Sequence, residues 1–218
     1  MKTINSLVCL IMTWGGTLAA ADTIWTGVSS NDFSAGSNWT LGIPGSTKPG
    51  VIGSGGRAEI LNNPANSSEQ HALSNKVVTL QGDATLISRT TDTIKLSGGT
   101  LNLKGQSAFI HTQGTIGLSL APLGPATISL QADAKLDLGA TRFSLDSTGA
   151  SLQLTGASRL ICGEYRGGSG ITTLNGGQLI VRSMPDSRFS VGSINLLSGG
   201  GEPSLLPGKT STSGHCSL

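Results

Sequence analysis

The sequence predicts an all-β fold: a right-handed parallel β-helix or related β-solenoid, closed at its start by an aromatic-rich cap. Three observations carry this expectation. From about Val77 onward, runs of four or five residues alternate apolar and polar positions, the period-two signature of strands. The runs recur at regular intervals, separated by breaks rich in Gly, Thr, Ser, Asp and Asn. Glycine supplies 32 of the 218 residues while aromatics make up only 4%, so the chain turns often around an expected aliphatic core.

Taken in order, residues 1–21 read as a secretory signal peptide. Lys2 is followed by the apolar stretch Leu7 to Trp14 and then by Ala19-Ala20-Ala21, which fits cleavage after Ala21 and a mature start at Asp22. That stretch is well short of the roughly 20 residues a membrane-spanning helix needs. Residues 22–72 form a Trp-rich capping segment with Trp25, Phe33 and Trp39, then the turn-rich Gly42-Ile43-Pro44-Gly45 and the glycine-rich Gly50 to Gly56. An end rung exposes unpaired strand edges, and this segment is the natural cover for one.

Residues 73–198 hold the solenoid repeats. The clearest segments start at Thr93, Thr100, Thr115, Ala126, Ala134, Thr141, Ala150, Ser158 and Gly177, and those at Ala126, Ala134, Ala150 and Ser158 are spaced 8, 16 and 8 residues apart. Gly98 to Leu103, Gly149 to Leu154 and Gly176 to Val181 repeat one turn-plus-strand unit. Coils of roughly 16 to 25 residues give on the order of five to eight rungs. Leu101, Leu103, Leu136, Leu138, Leu152 and Leu154 share one interior, whereas Lys135 and Asp137 face water. Short strands at this spacing also suit a β-sandwich, the alternative, but sandwiches carry longer strands and more large aromatics. Residues 199–218 read as a polar, flexible tail.

Charge narrows the function. Lys and Arg number 14 against 12 Asp and Glu, a formal +2, and 12% of the chain is charged, so a nucleic-acid surface is not expected. The mature chain keeps Cys162, at an inward position that suits a small buried hydrophobe, and Cys216, in the tail; whether they pair stays open.

No catalytic, cofactor-binding or metal residue is assigned. His71, His111 and His215 are far apart, and His215-Cys216 lacks a partner at zinc spacing. His111 reads as a strand-edge or turn residue. Pro207-Gly208-Lys209-Thr210 has Pro203 where a phosphate loop needs Gly, and Gly53-Ser54-Gly55-Gly56 lacks a strand-to-helix setting. Gly167-Gly168-Ser169-Gly170 falls short of the calcium nonapeptide at Ile171.

Two charged groups remain as candidates for a polysaccharide-degrading groove. Asp133, Asp137 and Asp146 with Lys135 and Arg142 form the densest set and read as a solvated face; Glu164, Tyr165 and Arg166 read as a loop protruding from the coils. Trp25 and Trp39 suit the cap better than stacking on sugars. Asn38-Trp39-Thr40 and Asn66-Ser67-Ser68 are glycosylation sequons that matter only in a eukaryotic secretory host.

Ile24-Trp25-Thr26-Gly27, then Asn38-Trp39-Thr40-Leu41-Gly42-Ile43-Pro44-Gly45 and Ala58-Glu59-Ile60, resemble the opening of the autotransporter-associated β-strand-repeat, or passenger-like, secreted bacterial proteins. The resemblance implies a bacterial, secreted or cell-surface β-helical protein, adhesin-like and without catalysis. Extracellular glycans or cell-surface polymers are its expected partners. The chain departs from long members in having neither a barrel translocator nor a hydrophobic sorting helix after Gly199. A carbohydrate-active β-helix enzyme or a glycan-binding module is the alternative.

Overall fold

The computed structural model describes residues 21–61, 71–111, 113, 116–119, 125–182, 189–190, 193–196 and 203–205. The described chain enters through β1 (Thr23–Ile24), β2 (Gly50–Ile52) and β3 (Arg57–Ile60). Five coils follow, each placing one strand on each of three sheets. The first carries β4 (Val77–Leu80), β5 (Thr85–Ser88) and β6 (Ile94–Lys95); the second β7 (Thr100–Leu103), β8 (Ala108–His111) and β9 (Ile116–Ser119). The third carries β10 (Thr127–Leu130), β11 (Lys135–Asp137) and β12 (Arg142–Ser144); the fourth β13 (Ser151–Thr155), β14 (Arg159–Cys162) and β15 (Glu164–Arg166). The fifth carries β16 (Ile171–Asn175), β17 (Gln178–Val181) and β18 (Phe189–Ser190), and β19 (Ser193–Leu196) and β20 (Pro203–Leu205) belong to a further turn.

Neighbouring strands in every sheet are parallel and one coil apart, which makes the protein a β-solenoid and excludes the sandwich. The first sheet has eight strands, the second seven and the third five. Pairing of Val77, Thr100, Thr127, Ser151, Ile171 and Ser193 advances the chain by 23, 27, 24, 20 and 22 residues per coil. The ladders begin at Thr23 and Gly50, before the expected start of the repeats at 73, and β20 lies within 199–218. Among the described residues there is no α-helix, only a 3-10 turn at Gly36–Asn38.

Alternation decides what fills the interior. Leu101, Leu103, Leu136, Leu138, Leu152 and Leu154 are all fully buried, as their spacing requires. In the first sheet Leu103, Leu130, Leu154 and Leu174 form one inward column. Burying a Leu contributes about 1.5–3 kcal/mol, and the parallel ladders satisfy the strands' backbone amides between coils. The core is not wholly aliphatic. Third-sheet strands of two to four residues have few inward positions, and Phe143 and Tyr165 fill theirs as stacked rings 5.8 Å apart.

Turns between the first and second sheets repeat as well. Gly82, Gly105 and Gly156 occupy this corner with φ of 64°, 71° and 69°, and Ala132 takes the same left-handed conformation at 58°. Gly105 packs on the Gly82 backbone and Gly156 on Ala132, so the corners nest along the axis.

Candidate binding face and cap groove

Every charged side chain on a described strand lies on the second or third sheet. The second carries Arg57, Glu59, Lys135, Asp137 and Arg159, and the third carries Lys95, Arg142, Glu164 and Arg166. The eight strands of the first sheet carry none. Their outward rows are built mainly of hydroxyls and amides, interrupted by Ile24, Val51, Val77 and Ile171. One row runs Thr79, Asn102, Ser129, Gln153, Thr173, Asn195, and beside it lie Thr100, Thr127 and Ser151. Neighbours bond along the axis: Asn102 Nδ2 donates to Thr79 Oγ1 at 3.3 Å, and Ser151 Oγ to Thr127 Oγ1 at 3.2 Å. Rungs about 4.8 Å apart and alternate residues about 7 Å apart make this a regular uncharged array in which most groups both donate and accept.

The charged candidates are divided between two sheets and the turns beside them. Lys135 and Asp137 are outward neighbours on the second sheet, paired at 3.4 Å, and Asp137 Oδ1 also accepts from the Gly139 N–H. Asp133 sits in the turn before them and Asp146 follows β12. Arg142 belongs to the third sheet and pairs with Glu164 at 2.6 Å, while Arg166 holds the other Glu164 oxygen at 2.7 Å. Burial pushes the Glu164 carboxyl up, but hydrogen bonds from Arg142 and Arg166 outweigh it and leave it below its ordinary value. Glu59 is held low by Arg89 first and Arg57 second.

The expected loop at Glu164, Tyr165 and Arg166 is strand β15. Only Gly163 separates it from β14, which leaves no length for a protrusion, and a Cβ on Gly163 would collide with the Ala140 carbonyl. Tyr165 points inward, with its hydroxyl on Thr172 Oγ1.

The histidines separate by burial. His71 is exposed, near Ser74. His111 ends β8, as a strand-edge residue, but is fully buried; its Nδ1 lies 2.7 Å from Ser88 Oγ and its Nε2 has no partner among the described residues. Burial pushes its pKa down to about 4. Cys162 is buried and free, and burial raises its thiol pKa, so it behaves as a hydrophobe. His215, Cys216, Pro207 to Thr210 and Asn66 lie outside the described residues. Among the described residues, no group of three or more His, Cys, Asp or Glu could hold a metal ion, and no helix is long and apolar enough to cross a membrane.

The aromatic segment forms the expected cap. Trp25 and Trp39 meet edge to face at 5.1 Å, Phe33 and Trp39 at 5.3 Å, and Trp39 Nε1 donates to the Phe33 carbonyl at 2.9 Å. This packing covers two strand edges. Thr40 exchanges hydrogen bonds with Ile24 of β1, while Phe33 N–H donates to Glu59 of β3 and Asn31 accepts from it. Asn38 is fully buried, and its amide bonds Ser29, Ser30 and Asp32, so the first sequon is a structural element of the cap.

Beside the cap opens a groove of about 420 Å³ lined by Ile24, Trp25, Thr26, Gly27, Asn31 and Gly53 to Arg57. Neither this groove nor the neutrality of the first sheet was read from the sequence. The second was legible once strands were sorted by face; the first depends on how the loop carrying Asn31 folds back. Comparisons with protein-family models, curated proteins and solved structures return no match for this chain. The class defined by fold and surface is therefore a three-faced parallel β-solenoid with one uncharged polar face.

Proposed function

We propose that the protein is a bacterial, secreted or cell-surface β-solenoid of the autotransporter-associated, passenger-like kind, acting as an adhesin-like structural module without catalysis. The observation that carries this reading is the segregation of charge. An uncharged face built mainly of hydroxyls and amides suits a neutral, hydroxyl-rich extracellular polymer, because its polar groups can donate to or accept from a sugar hydroxyl and no unpaired charge is desolvated. The face has no aromatic anchor, so each contact is weak and retention comes from many rungs engaged together. The carboxylates on the other two faces hold their own Arg and Lys partners, which supports a scaffold role for them.

The experiment combines export and binding. Secreted material should begin at Asp22 by mass spectrometry and be retained by insoluble neutral glucan more than by polygalacturonate, without releasing sugar from either. Gln153→Glu with Asn195→Asp, both exposed on the first face, should abolish retention. Retention unchanged by that pair, or sugar release, would overturn the reading.

A further inference from the structure

The cap groove has features of a built site. Trp25 is 92% buried, being only 8% exposed, yet its indole N–H finds no acceptor among the described residues. Its neighbour Trp39 spends the equivalent N–H on Phe33. Trp25's free edge is turned toward the groove: a Cβ on Gly27 would stand 3.1 Å from Nε1 and one on Gly56 3.4 Å from Cδ1, and both glycines line the groove. Gly27 has φ of 60°, so a larger residue there is strained as well as obstructive.

The other lining groups define the chemistry. Asn31 is exposed, and among the described residues no hydrogen bond engages its side-chain amide, which can both donate and accept. Thr26 Oγ1 donates to the Asn38 carbonyl and keeps its lone pairs for an incoming donor. Ile24, 42% exposed, supplies an apolar wall. Arg57, the one charged residue of the lining, is paired at 2.9 Å with Glu59, a carboxylate it shares with Arg89, so it offers a spare N–H group beside a carboxylate that partly offsets its charge. A donor on a largely buried ring, two groups able to accept, an apolar wall and a single, partly offset arginine complement a ring with one hydrophobic face and a rim of hydroxyls.

We infer that the groove is a binding site for a neutral mono- or disaccharide, with a sugar oxygen accepting from Trp25 Nε1 and hydroxyls bonded to Asn31 and Thr26. The volume falls in the range of small-ligand sites. The site lies off the hydroxyl rows of β4 to β19, so it goes beyond the adhesive reading and can fail without it.

The test follows the two indole N–H resonances of the secreted protein in nitrogen-15 correlation spectra, assigned with Trp25→Phe. Titration with cellobiose, lactose, maltose and methyl α-mannoside should move the Trp25 resonance saturably with at least one of them, and leave that of Trp39 in place. Asn31→Ala should weaken the binding about fivefold to tenfold, the loss of one hydrogen bond, with the unfolding midpoint unchanged. If no saccharide moves the Trp25 resonance, or if galacturonate or acetate alone does, the inference is overturned. The Gln153→Glu, Asn195→Asp protein should titrate like the parent; adhesion lost there with groove binding intact separates the two surfaces.

Discussion

Lowering the pH should test the core at His111. The imidazole is buried at the end of β8, its Nδ1 satisfied by Ser88 and its Nε2 unpartnered among the described residues, so an added proton places a charge and a second donor in a buried setting. With the pKa pushed down from 6.5 to about 4 in the folded chain, the unfolded chain takes up the proton first. The contribution is therefore fully present above pH 6.5 and lost progressively as pH falls from 6.5 toward 4. The linkage relation gives a loss on the order of 1 kcal/mol at pH 5.5 and on the order of 2 kcal/mol at pH 4.5. These are large shares of a total that for most domains is about 5–15 kcal/mol. Urea unfolding at pH 7.5, 6.5, 5.5 and 4.5, followed by far-ultraviolet circular dichroism, measures it. His111→Leu, which leaves Ser88 without its partner, should start lower by about 1 kcal/mol at pH 7.5. The variant should then hold that value down to pH 5, whereas the parent declines. A parent that is flat between pH 7.5 and 5, or a variant that falls in parallel with it, refutes the argument.

Leu152→Asp puts a carboxylate in a fully buried column between Ile128 and Thr172 and should cost more than about 3 kcal/mol; a melting curve matching the parent's would mean that the strand faces are misassigned. Gly163→Ala forces a methyl group onto the Ala140 carbonyl at the narrow corner between β14 and β15 and should lower stability by at least about 2 kcal/mol in urea titrations. Ala132→Gly relieves the left-handed conformation at the nested corner and should raise stability by about 1 kcal/mol. The paired outcome matters, since a gain at Gly163 or a loss at Ala132 would contradict the corner geometry.

The strands were legible because alternation reports a sheet with one wet and one dry side, as Lys135 and Asp137 flanking Leu136 show. Boundaries were harder. Gly50–Ile52 and Arg57–Ile60 sit in a glycine-rich stretch that resembles a loop, and only the inward placement of Ile52, Ala58 and Ile60 makes them a rung. Glu164-Tyr165-Arg166 reads as a loop because it interrupts the rhythm of the repeats before Gly167, with two charges flanking an aromatic. That is also the pattern of a short strand whose single inward residue is large, and the one-residue corner at Gly163 decides between them. His111 reads as a strand-edge or turn residue, yet position along a strand does not tell whether the last side chain turns into the core. The cap was recognised from its tryptophans, but their different hydrogen bonding, which defines the groove, arises from the fold-back of Asn31 to Asn38 and has no period to reveal it.

The faces, the hydroxyl rows and the buried columns all depend on coils stacked in register, and cysteine cross-linking measures that register directly. Gln153 and Thr173 are register partners on adjacent rungs, both outward on the first sheet, while Asn102 lies two rungs from Gln153 on the same row. Adjacent rungs stand about 4.8 Å apart, inside the Cα range of roughly 4.4–6.8 Å that a disulfide spans, and two rungs stand beyond it. In a Cys216→Ser background with Cys162 buried, mild oxidation should close the bond in the Gln153→Cys, Thr173→Cys protein and leave the Asn102→Cys, Gln153→Cys protein reduced. Bond formation in the second pair, or its failure in the first, would contradict the stacked-coil fold and every surface derived from it.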